Sequence, residues 1–182
     1  MREVKTIQID DFLKEIEKRA FRMAQMATLC EADALDIVQE AMIKLVTKYG
    51  ERDSGEWRPL FFKILENRIL DWHRKQQVMK KLFFWRKPNL EIGTQDENEI
   101  EQVDHHGDGE SQLISEQLGE RLLESIVSLP LKQQQCFILR SWEGLSIKET
   151  AAAMNINENS VKTHYARAIE KLKIQQQIIE NA

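Results

Sequence analysis

Hydrophobic residues recur at helical spacing through most of the chain. The first such stripe predicts an amphipathic helix, and its members are Phe12, Leu13, Ile16, Ala20, Met23, Ala24 and Ala27. A second stripe predicts another helix, and it comprises Ile37, Val38, Ala41, Met42, Leu45, Val46 and Tyr49. Polar Asp36, Gln39 and Glu40 then share the opposite face of this second helix. The periodicity stops between Tyr49 and Gly55, where we expect a loop.

A third helix is expected to start near Trp57–Pro59, because proline suits the first turn of a helix. Its apolar residues run through Phe61 to Trp72. Its polar face is spaced at i, i+4, i+8 and i+11 and consists of Lys63, Asn67, Asp71 and Arg74. The aromatic rings either stack on the bases of single-stranded nucleic acid or form the core beneath solvated charges. Taken alone, this stretch favours the core interpretation.

The last third of the chain predicts a helix-turn-helix. One amphipathic helix, over 118–127, ends at Leu129-Pro130, and a second continues to about Trp142, where Gly144 reverses the chain. Ser146 and Glu149 have the spacing of a capping box at the start of a short helix over 147–154, which carries three alanines. Asn155 suits the left-handed residue of the following turn.

A second helix of this motif begins at Asn157, which can cap it. Its apolar stripe is Val161, Tyr165, Ala168, Ile169 and Leu172. The residues left on its outer face are Asn159, Lys162, Thr163 and Arg167. Such side chains can reach base edges in the major groove and phosphates beside it. The alternative, an ordinary helical hairpin, is less favoured because capping box, alanines, turn and polar face occur together.

Composition supports an all-α fold, since 7 Gly and 3 Pro in 182 residues supply few chain reversals. The two cysteines, Cys30 and Cys136, lack the spacing of a zinc site or a disulfide scaffold. No signal peptide and no apolar run of about 18 residues is present, so we expect a cytoplasmic protein without membrane insertion. No cofactor is predicted.

The net charge of −4 conceals three different segments. Residues 1–87 carry 18 basic and 14 acidic residues, residues 88–128 carry 1 and 11, and residues 129–182 carry 7 and 5. Two basic blocks therefore flank an acidic stretch of low hydrophobicity, which predicts a flexible linker. We expect domains over 1–87 and 117–182, joined by a linker over 88–116.

Both blocks resemble extracytoplasmic-function sigma factors of bacterial RNA polymerase. The segment Asp33–Ala41 with Trp57–Arg74 looks like sigma region 2, and 129–168 looks like region 4. The chain departs from the family pattern at Leu60, where Trp is common, and at His164, where Arg is frequent. The resemblance implies a sigma factor that is not itself an enzyme, with core RNA polymerase, promoter DNA and an anti-sigma factor as partners.

The resemblance also implies roles for individual residues. Asp36, Gln39 and Glu40 match the face that docks on core polymerase. The residues matching the helix that melts and reads the minus-ten element are Lys63, Asn67, Asp71 and Arg74. The residues matching the minus-thirty-five recognition helix are Asn159, Lys162, Thr163, His164 and Arg167. The acidic linker matches the segment directed toward the RNA exit channel, and we hypothesise that it mimics RNA there.

Three further interpretations stay open. A regulator of the LuxR type is the alternative function, with 1–87 as a sensor or dimerisation domain and no sigma activity. A metal-dependent enzyme would depend on an acidic and histidine cluster within the linker, Asp104, His105, His106, Asp108 and Glu110. Metal ligands usually sit on rigid elements, which disfavours this site. The aromatic segment Phe83–Trp85 either extends the third helix, contacts polymerase or is buried.

Overall fold

Every regular element in the part of the chain that the structure describes is helical. This computed structural model describes residues 2–86 and 121–180. The helices are α1 (Arg2–Thr28), α2 (Glu31–Tyr49), α3 (Ser54–Arg86), α4 (121–127), α5 (Leu131–Phe137), α6 (Ile147–Met154) and α7 (Glu158–Glu180), with a π-helical turn (Ile138–Trp142) directly after α5. The predicted all-α fold is confirmed. The linker over 88–116, with its histidine and acidic cluster and its proposed RNA mimicry, lies outside the described residues.

Helices α1, α2 and α3 pack together as an N-terminal unit. The stripe predicted for α1 is buried at Ile16, Ala20, Met23, Ala24 and Ala27, and Phe12 and Leu13 are partly buried. The stripe on α2 is buried at Ile37, Val38, Ala41 and Leu45. The sequence assignment of Val46 to this stripe is wrong, because its side chain is 44% exposed at the edge of the packed face.

Helix α3 begins at Ser54, earlier than the expected start at Trp57–Pro59. The N–H of Glu56 donates to the carbonyl of Asp53 (2.9 Å), so the first turn forms before the proline. Pro59 then lies inside the helix and cannot donate to the carbonyl of Gly55. Because Gly55 is exposed, water can satisfy that carbonyl. The far end of α3 reaches Arg86, so 83–85 extend this helix.

Helices α4 to α7 form a C-terminal unit, in which α7 packs on α5 and α6. In α4, Ile126 is buried, whereas Leu122 and Leu123 are 52% and 42% exposed, so the predicted apolar face is only partly covered. The π-helical turn was not predicted. In it the N–H of Glu143 donates to the carbonyl of Ile138 (3.0 Å), five residues earlier.

The two units pack against each other along a seam formed by α1 and α3 on one side and α5, the π-helical turn and α6 on the other. Glu143 lies at the centre of the polar contacts across this seam. Its side chain is 2% exposed, and its Oε2 accepts from Arg58 Nη2 (3.0 Å). Arg19 Nη1 lies 3.6 Å from the same oxygen. Gln134 Nε2 reaches the carbonyl of Met26 (3.4 Å). One continuous buried core therefore joins units that the sequence suggested would be separate.

Candidate polymerase-docking and DNA-reading faces

The first predicted site is an exposed face of α2. Asp36, Gln39 and Glu40 are all exposed, because the other side of α2 is buried against α1 and α3. The structure adds two apolar neighbours on the exposed side, Leu35 and Ile43, which are 53% and 58% exposed. Apolar side chains beside polar ones on a surface are typical of protein-interaction sites. The sequence already indicates that Leu35 and Ile43 are exposed, because neither belongs to the apolar stripe that predicts the buried face of α2.

The second predicted site is the outer face of α3. All four of its members, Lys63, Asn67, Asp71 and Arg74, are exposed at the expected spacing. Arg74 Nη1 donates to Asp71 Oδ1 (3.0 Å), so the acidic side chain of this face forms an ion pair with one of its two basic side chains. The face therefore presents the Asn67 amide and Lys63, which has no ion-pair partner among the described residues, beside one exposed ion pair.

Arg68 connects these two faces. Its Nη1 lies 3.0 Å from Glu40 Oε2, which ties α3 to the docking face of α2. Both side chains are partly exposed, at 35% and 56%, so the pair adds well under 1 kcal/mol to stability. The structure therefore brings the predicted docking face and the predicted DNA-reading face side by side, which spacing along one helix cannot show.

Three aromatic residues of α3 form core and are not available for base stacking. Trp57, Phe61 and Phe62 are 1%, 0% and 0% exposed. Trp72 is partly buried and meets the ring of His73 edge-on, with centroids 4.9 Å apart. The core interpretation of these rings is confirmed, and the stacking interpretation is wrong for the three fully buried ones.

The third site is the helix-turn-helix, and its local predictions are confirmed. The Glu149 N–H donates to Ser146 Oγ (3.1 Å) while Glu149 Oε2 accepts from the Ser146 N–H (2.8 Å). These hydrogen bonds lower the pKa of Glu149. Asn155 is left-handed at φ 53°, and Asn157 Oδ1 caps α7 through the N–H of Ser160 (2.7 Å). Of the three alanines, Ala151 and Ala153 are buried, whereas Ala152 is exposed.

The outer face of α7 is exposed at the four positions that the pattern selected, Asn159, Lys162, Thr163 and Arg167. Their opposite side is anchored by Val161 and Ala168, both 0% exposed. Thr163 Oγ1 donates to the carbonyl of Asn159 (2.9 Å), so its hydroxyl hydrogen is used within α7. The face thus offers an amide and a methyl for base edges and two cations for phosphates.

His164 differs from its neighbours because it is partly buried. Burial first, and then the charges of Lys132 and Arg167, lower the pKa of its imidazole. The ring is therefore neutral at pH 7 and makes no charged contact with a phosphate.

Replacing His164 with arginine is expected to strengthen binding to duplex DNA, since it places a permanent cation where a neutral ring now lies. Binding isotherms over a range of salt concentrations should show a salt slope larger by about one. A His164→Gln variant is the matched control, because it stays neutral and should leave the slope unchanged. An unchanged slope for the arginine variant would contradict a location of this residue near the phosphates.

Among the described residues, no group of three or more His, Cys, Asp or Glu side chains lies close enough to hold a metal ion. No described helix is long and apolar enough to span a membrane.

Comparison with known proteins assigns the family. Residues 9–78 match the family described as sigma-70 region 2, and residues 119–172 match sigma-70 region 4. The RNA polymerase sigma factor SigV of Bacillus subtilis is 30% identical over 156 residues, covering 85% of this chain and 82% of that protein. The RNA polymerase sigma-E factor of Streptomyces avermitilis is 26% identical over 170 residues, covering 92% and 84%.

A solved structure shares the fold. It is the sigma factor RpoE of Bartonella quintana in complex with the anti-sigma factor NepR, with a TM-score of 0.62 at 20% identity, covering 92% of this chain and 98% of that one. Both matched family regions are those of sigma factors, and neither they nor the relatives support the LuxR-type alternative. The chain belongs to the extracytoplasmic-function family of RNA polymerase sigma factors.

Proposed function

We propose that this sigma factor uses three separate faces of one chain to start transcription. The α2 face of Asp36, Gln39 and Glu40 docks on core RNA polymerase, the outer face of α3 reads the minus-ten element, and the outer face of α7 reads the minus-thirty-five element. The observation that supports this assignment most is that all three polar sets are exposed, on helices whose opposite faces are buried.

On α3, the residues that carry the minus-ten role are Lys63, Asn67, Asp71 and Arg74. An exposed amide such as Asn67 can pair with the edge of an unstacked base, while Lys63 meets the backbone phosphates. Because the rings of Trp57, Phe61 and Phe62 are buried, capture of the base at this face depends on hydrogen bonds from its polar side chains.

On α7, the residues that carry the minus-thirty-five role are Asn159, Lys162, Thr163, His164 and Arg167. The amide near the start of α7 is placed to read a base edge in the major groove. Lys162 and Arg167 neutralise phosphates, which positions the helix without sequence preference.

The remaining proposals concern partners and chemistry. We propose a cytoplasmic protein without catalytic activity or cofactor, regulated by an anti-sigma protein of the kind bound to the Bartonella relative.

The test is transcription in vitro with core polymerase and a promoter library. The wild-type chain should give specific start sites. Asn67→Ala and Lys162→Ala should each reduce transcript yield by about 10-fold on duplex templates, since one good contact is worth roughly 1–3 kcal/mol. On templates melted beforehand at the minus-ten region, Asn67→Ala should recover in part, because melting is no longer required while its contact with the unstacked base is still lost, whereas Lys162→Ala should not recover.

The same assay can contradict the assignment. Well-folded protein that yields no specific start site on any template would overturn the sigma role of these faces. Equal recovery of both variants on melted templates would show that α3 and α7 do not divide the two promoter elements between them.

A further inference from the structure

Glu66 is a buried carboxylate at the seam that none of the proposed faces uses. It lies on α3 with 0% exposure, and neither of its carboxylate oxygens has a hydrogen-bond partner among the described residues. Arg68 points from the same helix toward Glu40 on α2, so Glu66 lies on the opposite flank, toward the C-terminal unit. The nearby thiol there is Cys136 of α5, which feels the charge of Glu66.

The C-terminal elements of the seam carry other buried polar groups without partners. Both amide atoms of Gln135 on α5 and the hydroxyl of Thr150 on α6 are buried without partners among the described residues. Buried polar groups in native proteins normally find partners, so several unpaired ones on the elements of one seam need an explanation. A contact that opens during function accounts for them, since water satisfies these groups once the surfaces separate.

The charged groups around this seam leave Glu66 without a counter-ion. Arg58 on α3 and Arg19 on α1 both pair with Glu143, and Arg68 pairs with Glu40 of α2. Two further titratable groups on these elements are Cys136 on α5 and His73 on α3, whose Nε2 is buried without a partner among the described residues. The cations Lys132 on α5 and Lys148 on α6 are exposed, Arg140 of the π-helical turn donates to the Leu145 carbonyl, and Glu149 of α6 accepts from the Ser146 N–H. His73 is neutral at neutral pH because burial lowers the pKa of its imidazole, and Cys136 stays an uncharged thiol because burial first, and then the charge of Glu66, raise its pKa to about 12.

We propose that the seam is a proton-gated latch, in which the two units stay packed while Glu66 is protonated and separate when it ionises. An ionised carboxylate without a partner is costly to bury, whereas separation of the units returns it to water. The proton that Glu66 loses passes to solvent, and the Arg58–Glu143 contact is broken in the same movement.

Separation of the two units matters for the proposed function. This part of the inference alone rests on the proposed function. The minus-ten and minus-thirty-five elements are about 25 base pairs apart, which is roughly 85 Å of duplex. A packed chain of this length has a radius of gyration of about 16 Å, so the closed form cannot reach both elements. Ionisation of Glu66 would therefore favour the form that spans a promoter.

The direction of the pH dependence follows from the burial. Desolvation raises the pKa of Glu66 from 4.5 to about 8 in the closed form. An acid with a raised pKa favours the closed form at low pH, and that advantage is lost as pH rises through the range between the two values. Between pH 6 and pH 8, the ratio of open to closed molecules should rise by about 50-fold.

Modification of Cys136 by a neutral disulfide reagent measures this ratio in the full chain. Cys30→Ser leaves Cys136 as the sole thiol, and serine suits the N-cap position that Cys30 occupies before α2. Dividing the rate in unfolded protein by the rate in folded protein at the same pH gives a protection factor, which removes the effect of thiolate fraction. This factor should fall about 50-fold between pH 6 and pH 8.

Glu66→Gln and Glu66→Leu cannot ionise and should show a protection factor that changes less than about 3-fold over the same range. Glu56→Gln, which removes an exposed carboxylate from the same helix, should behave like the parent. Constant protection in the parent chain, or an unchanged pH response in both Glu66 variants, would overturn the proposal. A steep loss of protection in dilute urea would also overturn it, because that dependence indicates global unfolding.

Discussion

The double charge reversal Asp36→Lys with Glu40→Lys is expected to weaken binding to core RNA polymerase by about 100-fold or more. Both carboxylates are exposed on one face of α2. If this face meets a basic surface of polymerase, two new cations add repulsion to the lost attraction, and like charges at an interface cost several kcal/mol. Equilibrium binding of labelled protein to core polymerase measures the loss.

Folding should be little affected by this reversal. Asp36 makes no hydrogen bond or ion pair that the structure gives, and Glu40 contributes only the half-exposed pair with Arg68. The matched control is Glu17→Lys with Glu124→Lys, which changes the net charge equally at exposed sites on α1 and α4. Equal losses in both double variants would show that overall charge, and not this face, governs polymerase binding.

Replacing Arg58 with alanine is expected to loosen the seam by about 2 kcal/mol, or roughly 30-fold in the ratio of packed to separated units. The substitution removes hydrogen bonds to Glu143 Oε2 and to the Glu143 carbonyl, both 3.0 Å long. It leaves a nearly buried carboxylate with Arg19 at 3.6 Å as its nearest cation. The cost is set below that of a fully buried pair because the Arg58 side chain is 36% exposed.

Amide hydrogen exchange in α5 and α6, followed by mass spectrometry, should report the loosening of the seam. Arg52→Ala is the matched control, because Arg52 makes an exposed pair with Glu56 on the same helix and should change exchange by less than about 1 kcal/mol. The effect of Arg58→Ala should be smaller at pH 5 than at pH 8. Burial already raises the pKa of Glu143, and a protonated Glu143 needs no cation. Equal exchange in both variants would mean that Glu143 does not hold the seam.

Local patterns in the sequence were sufficient for the helices and for all three faces. The capping box at Ser146, the left-handed Asn155 and the cap at Asn157 depend on residues within a few positions of one another. The exposed sets on α2, α3 and α7 follow from helical period, because burying one face fixes which residues lie opposite. Whether those residues perform the proposed roles is a separate question that the binding and transcription assays address.

The seam could not be predicted in the same way. Glu143 meets Arg19 and Arg58 across more than eighty residues of chain, and no local pattern pairs them. Glu66 lies in a stretch whose pattern predicts an ordinary helix with a solvated outer side, yet its side chain is 0% exposed. Likewise, the helical spacing of Leu122 and Val46 predicts buried side chains. Both side chains are exposed, because the surfaces packed against their helices do not extend far enough to cover them.

The π-helical turn makes the seam sensitive to the deletion of a residue as well as to substitutions. The Glu143 N–H reaches the carbonyl of Ile138 across five residues, so this turn holds one residue more than an α-helical turn would. Loss of one residue between Ile138 and Trp142 would restore α-helical hydrogen bonding and rotate Glu143 by about 100°. A single deletion could thus remove the contact with Arg58 while preserving every residue that makes it, and relatives of different length at this turn would hold their two units together differently.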